Sequence, residues 1–138
     1  TVTSGVTPNS ITVDPSGKYV YAANNSSGNI SQYTIEANGA LTPMIPATVT
    51  AGTDPQSVTV DPSGKYVYLA NGGNNNILQY TIGENGALTP MAPATVAAGT
   101  NPQSVKPDPL GKYAYVANYS SNNVSQYTIG ANGALLPM

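Results

Sequence analysis

Pro15, Pro62 and Pro109 stand 47 residues apart, and almost everything around them recurs at the same interval. The chain is one unit written three times, over 1–47, 48–94 and 95–138, the last cut three residues short. The heart of each repeat reads ITVDPSGKYVYAAN from Ile11, VTVDPSGKYVYLAN from Val58 and VKPDPLGKYAYVAN from Val105. A variable Asn/Ser/Gly stretch follows, and then QYTIEANGALTPM, QYTIGENGALTPM or QYTIGANGALLPM. A period in the forties with strand-like content is that of a propeller blade, a unit that buries its faces only against its neighbours. Three blades are too few to close a ring.

The middle repeat shows how one unit folds. Gly52-Thr53-Asp54-Pro55 is a loop, with Gly supplying freedom and Pro fixing φ. Ser57 to Val60 alternates polar and apolar residues and reads as a strand. Asp61-Pro62-Ser63-Gly64 is a turn, and Lys65 to Ala70 is a second strand with Tyr66 and Tyr68 on one face and Val67 and Leu69 on the other. After a polar loop, Ile77 to Ile82 forms a third strand closed by Asn85-Gly86, a strong hairpin signal. The stretch from Ala87 to Ala98 is a fourth strand, placed at the sheet edge by Pro90 and Pro93. The expected fold is all-β: three four-stranded antiparallel propeller blades, the ring closed by oligomerisation. In the third repeat Pro107 replaces Val at the end of the innermost strand, which predicts that this strand stops one residue early.

The pattern P-x-S-V-x-V-D-P-S-G-K-Y-V-Y-x-A-N, followed by Q-Y-T-I-x-x-N-G-A-L-T-P-M, resembles the YVTN repeat and the related lactonase-type seven-bladed propellers. The resemblance covers all three repeats. It implies the propeller fold, and it implies either a lactonase activity or a place in a bacterial or archaeal surface protein. A ring of seven such units needs about 330 residues.

Composition narrows the chemistry. There are ten Tyr but no Cys, His, Phe or Trp, and the cations are four Lys: Lys18, Lys65, Lys106 and Lys112. A net charge of −2 gives no electrostatic footprint for nucleic acid. No apolar run approaches the roughly 20 residues of a membrane span. Without Cys or His there is no zinc-ligand set, and no calcium-loop pattern occurs, so no metal and no cofactor are expected. The chain opens on Thr1 without a signal-peptide pattern, as expected of a mature product or an excised fragment. A nearly neutral surface rich in Asn, Ser, Thr and Gly points to an extracellular or cell-envelope location.

Lactone chemistry near neutral pH calls for a general acid or base, and a phosphorylated substrate calls for cationic partners. Three of the four Lys merely follow D-P-x-G turns. Asp14, Asp61 and Asp108 recur in those turns, where Asp is favoured because it bonds the turn's own amides. No catalytic residue is therefore expected. The candidate ligand-binding groups are the amides and the one carboxylate of the loops that would share one end of the ring: Asn9, Asp54, Gln56, Asn101 and Gln103. Tyr119 joins them, because the other repeats have Asn25 and Gly72 there and the fold does not demand an aromatic. These groups suit a glycan or a peptide. The first residues, Thr1, Val2 and Thr3, match the end of the outer strand, while Leu135, Leu136, Pro137 and Met138 match its start. The chain's expected partner is therefore itself, through shared outer strands. The reading that follows is a non-enzymatic scaffold or interaction module closing head-to-tail into a ring, two chains giving six blades. The alternative is a fragment of a 6-phosphogluconolactonase-like propeller whose catalytic residues lie elsewhere.

Overall fold

A computed structural model describes every residue, Thr1–Met138. Twelve strands form three separate four-stranded sheets. The first holds β1 (Pro8–Val13), β2 (Tyr19–Asn24), β3 (Asn29–Ile35) and β4 (Leu41–Thr50). The second holds β5 (Pro55–Val60), β6 (Tyr66–Asn71), β7 (Asn76–Ile82) and β8 (Leu88–Ala97), with a 3-10 turn at Gly72–Asn74. The third holds β9 (Pro102–Pro107), β10 (Tyr113–Asn118), β11 (Asn123–Ile129) and β12 (Leu135–Pro137). Each sheet is antiparallel and ordered as its strands follow in the chain. These are the blades that the repeat predicts. The first sheet runs to Thr50, three residues into the second repeat of the sequence.

Proline sits where the ladder tolerates it. Pro43 and Pro46 lie on β4, and Pro90 and Pro93 on β8, both edge strands. Pro107 corrects the expectation of a shortened strand, because β9 keeps six residues, as β1 and β5 do. The amide of Asp108 bonds the carbonyl of Tyr113, so the neighbouring Pro107–Ala114 pair is one that exchanges no ladder bonds. Proline there gives up a donor that had no partner in the sheet.

The blades are joined by apolar faces. Tyr21, Ala23 and Ile30 of the first pack on Val58, Val67, Leu69, Tyr80 and Leu88 of the second. Tyr68, Ala70 and Ile77 of the second pack in the same way on Val105, Val116, Tyr127 and Leu135 of the third. Polar pins run through these faces. The hydroxyl of Tyr21 donates to the carbonyl of Gly86 (2.6 Å) and that of Tyr68 to Gly133 (2.7 Å). The amides of Leu88 and Leu135 donate to the side-chain oxygens of Gln32 and Gln79, each at 2.7 Å. Tyr80 and Tyr127 donate backwards to the carbonyls of Thr50 (2.7 Å) and Ala97 (2.6 Å). Every buried phenol thus has an acceptor, as the low dielectric of a junction requires.

Candidate functional site

The innermost strands β1, β5 and β9 lie side by side, with β5 in the middle. The loop leading into each therefore gathers at one end of the molecule with the loops after β2, β6 and β10. Thr7, Asp54 and Asn101 occupy the same place in the three repeats and all adopt left-handed backbone, at φ 52, 60 and 54. Such a conformation costs a β-branched Thr the most. Their carbonyls are held by the amides of Asn25 (2.8 Å), Gly72 (3.0 Å) and Tyr119 (3.0 Å). The same sequence position in each blade thus closes the same loop pair.

Polar side chains line this end from blade to blade. Asn9 donates its side-chain amide to Gln56 (3.2 Å), and Gln103 donates to the side-chain oxygen of Asn101 (2.7 Å). The backbone amide of Asn101 reaches Asn75 Oδ1 of the preceding blade at 2.8 Å. Asn25 bonds the carboxylate of Asp54 across the first junction. Bare Gly72 makes room for the rest. A Cβ there would stand 2.8 Å from Asn101 Oδ1 and 3.2 Å from both Asp54 Oδ2 and the Gln56 side chain. Asn9, Asp54, Gln56 and Asn101 therefore form one connected rim. Tyr119 stands apart, 73% exposed, and shares with Gln103 a crevice of about 340 Å³ on the open face of the third blade.

Sequence reasoning passed over Asn25 and Gly72 as variable loop residues. The signal was available in the comparison of repeats: Asn25, Gly72 and Tyr119 occupy one position, and its side chain sets what the next blade's loop can reach. The rim offers hydrogen-bond donors, acceptors and one carboxylate, Asp54. A set of this kind can hold hydroxyl or carbonyl groups of a small polar ligand.

The other carboxylates are occupied by structure. Asp14 accepts from the amides of Tyr19 (2.7 Å), Lys18 (2.8 Å) and Ser16 (3.0 Å), and from the Ser16 hydroxyl. Burial alone would raise its pKa, but the Ser16 hydroxyl and the amides of Tyr19, Ser16 and Lys18 together hold it below the usual carboxylate value. Asp108 is likewise held low, by the amides of Tyr113, Lys112 and Leu110 with the charge of Lys112, against a small opposing effect of burial. Lys18, Lys65 and Lys112 follow these turns, at the strand ends away from the rim. No three carboxylates come together in a group that could hold a metal ion.

The family profile described as "Lactonase, 7-bladed beta-propeller" matches residues 1–53 and 40–138. No protein of curated function matches significantly. Among solved structures, a Bacteroides fragilis protein described provisionally as a 6-phosphogluconolactonase is 26% identical with a TM-score of 0.88 over 99% of this chain. A periplasmic gluconolactonase of Pseudomonas aeruginosa is 22% identical with a TM-score of 0.81 over 95% of this chain, and a Lactobacillus plantarum protein is 21% identical with a TM-score of 0.90 over 100% of this chain. At those identities the last two speak for the fold. This chain spans 39%, 41% and 42% of those three proteins, in that order. The matches overturn the expectation of a non-enzymatic scaffold built as a two-chain, six-bladed ring and favour the lactonase-like alternative. The absence of His and Arg was too narrow a ground for the former, because a propeller draws a site from loops of several blades and three blades hold only part of it.

Proposed function

The chain belongs to the lactonase family of seven-bladed β-propellers, and from that premise we propose that it is a three-blade arc of a sugar-lactone-hydrolysing propeller. In this reading the arc contributes the rim that binds substrate, and the general acid or base comes from blades outside it. The observation that carries the proposal is the connected rim of Asn9, Asp54, Gln56 and Asn101, neutral but for one carboxylate, within a chain matched by the lactonase profile end to end. Amide and carboxylate groups match the hydroxyls of a sugar ring. The ligand class proposed is therefore a sugar lactone, its hydroxyls held by these groups.

The test is a titration of the chain with glucono-δ-lactone and with its stable product gluconate, followed by NMR of the side-chain amides. Saturable shifts of Asn9, Gln56 and Asn101, lost in Gln56→Ala with the fold retained, are expected. Hydrolysis of the lactone by the chain alone should equal that of buffer. Absence of any shift would overturn the rim as a binding site. Hydrolysis above buffer that disappears in Asp54→Asn would instead move the catalytic group into this arc.

A further inference from the structure

The two junctions inside the chain are alike in their apolar packing and differ at one place on the rim. Asn25 and Gly72 are the first residues after β2 and β6, and each stands beside the loop that opens the next blade. At the first junction Asn25 fills the space between the blades. Its side-chain amide donates to the carboxylate of Asp54 and, more weakly, to the carbonyl of Pro55 (3.4 Å). At the second junction Asn101 is the counterpart of Asp54, and no donor faces it from this position because Gly72 has no side chain.

Acceptors line the space over Gly72. A Cβ there would lie 2.8 Å from Asn101 Oδ1 and 3.2 Å from Asp54 Oδ2. Asn25 takes the other oxygen of Asp54, so Oδ2 is the one turned to Gly72. Asn101 Oδ1 accepts from Gln103 Nε2 (2.7 Å), which uses one of its two lone pairs. Gly72 is buried and its amide is fixed on the Asp54 carbonyl (3.0 Å), whereas Asp54, Gln56, Asn101 and Gln103 are half-buried. The result is a seat with a backbone floor and polar walls. The backbone does not require glycine at its floor. Gly72 lies outside the left-handed region that Gly52 and Gly64 occupy at φ 77 and 71, so its lack of a side chain serves space and not conformation.

We propose that Gly72 is the specificity-determining residue of the rim, and that two neighbouring ring hydroxyls of the ligand seat over it. The proposal rests on the reading of the rim as a sugar site and assigns one part of the ligand to one place in it. One hydroxyl donates to Asn101 Oδ1, as the Asn25 amide donates to Asp54 at the first junction. The adjacent hydroxyl donates to Asp54 Oδ2, a bond strengthened by the carboxylate charge. A ligand with a bare carbon at either place leaves a half-buried acceptor without a donor and binds more weakly. A side chain at position 72 excludes the pair, because the atoms it would meet belong to the rim side chains themselves: Asn101, Asp54 and Gln56. Those side chains can turn aside without moving the backbone, so the substitution acts on binding and spares the fold.

The test uses 1,5-anhydroglucitol, which carries the ring hydroxyls without a lactone, titrated beside glucono-δ-lactone and followed by NMR of the side-chain amides. Saturable shifts largest at Asn101 and Gln103 are expected with both compounds. Gly72→Asn, which supplies the chain's own donor as Asn25 does, should weaken both by about tenfold or more, with the circular dichroism spectrum and urea midpoint of the parent. Gly72→Ala adds bulk without a donor and should weaken them by about threefold, and it carries the test should the larger side chain disturb folding. Binding by the folded variants equal to that of the parent would overturn the seat while leaving the rim as a sugar site. Binding of 1,5-anhydroglucitol that is sensitive to position 72, with none of the lactone, would uphold the seat and remove the lactone reading. No shift with either compound would overturn both.

Discussion

In the second blade one carboxylate holds a whole turn in shape. Asp61 is buried and accepts from the amides of Ser63 (3.0 Å), Lys65 (3.0 Å) and Tyr66 (2.9 Å), so one side chain pairs three backbone donors that the sheet leaves free. Asp61→Ala should cost about 2 kcal/mol in urea unfolding, the scale of buried donors losing a charged acceptor. Asp108→Ala should cost clearly less, because that turn is open to water and Leu110 replaces the serine whose hydroxyl assists in the other two. Equal losses at the two sites would contradict the account. The D-P-x-G role was readable from the sequence, since it is local and repeated. The convergence of Asp54, Gln56 and Asn101 over Gly72 was not, because those side chains come from loops whose proximity exists only once blades are stacked.

At the scale of the element, the hairpin between the third and fourth strands couples strand pairing to blade packing. Gly86 and Gly39 hold the same turn position at φ 81 and φ 80. A Cβ on Gly86 would lie 2.4 Å from the ring of Tyr19, whereas one on Gly39 would meet nothing within 4 Å. Gly39→Ala should therefore cost only the backbone penalty, about 1 kcal/mol. Gly86→Ala should add a clash with the preceding blade and cost about 3 kcal/mol, with Gly133→Ala matching it against Tyr66. Chemical denaturation of the three variants measures the difference, and similar values at positions 39 and 86 would remove the packing role. The Asn-Gly pair announced a hairpin in the sequence. That its glycine also seats an aromatic ring of the previous blade became visible only across a separation longer than one repeat.

For the whole molecule, cohesion rests on phenols buried in both junctions, which makes alkaline pH a probe of the stack. Burial raises the pKa of Tyr21, Tyr68, Tyr80 and Tyr127 above the ordinary value of 10.0, with the nearby carboxylates of Asp14 and Asp61 adding to the effect at Tyr21 and Tyr68; at Tyr127 a hydrogen bond with Ser125 opposes it. A folded value above the unfolded one means that these groups favour the folded state fully below about pH 10. That contribution is lost as pH rises from there through the folded values. Unfolding free energy from urea melts should accordingly be level near pH 8 and fall steeply above about pH 10, with tyrosinate absorbance from the four appearing together with unfolding. A flat stability profile through that range would show that the phenols are not sealed in the junctions.

The sequence by itself determined the repeat, the number of blades, the strand order within each, the turn chemistry and which faces are apolar. These follow from periodicity two along a strand and from residues adjacent in the chain. The tertiary structure decided which hydroxyl meets which carbonyl, that Asn25 reaches Asp54, and that Pro107 leaves its strand at full length because its nitrogen belongs to a pair without ladder bonds. It also decided that Tyr115, Gln126 and Val124 lie open where their equivalents are sealed. In sequence all three blades look alike. Burial, however, is a property of what stands beside a blade, and only the stacked chain shows which faces have a neighbour.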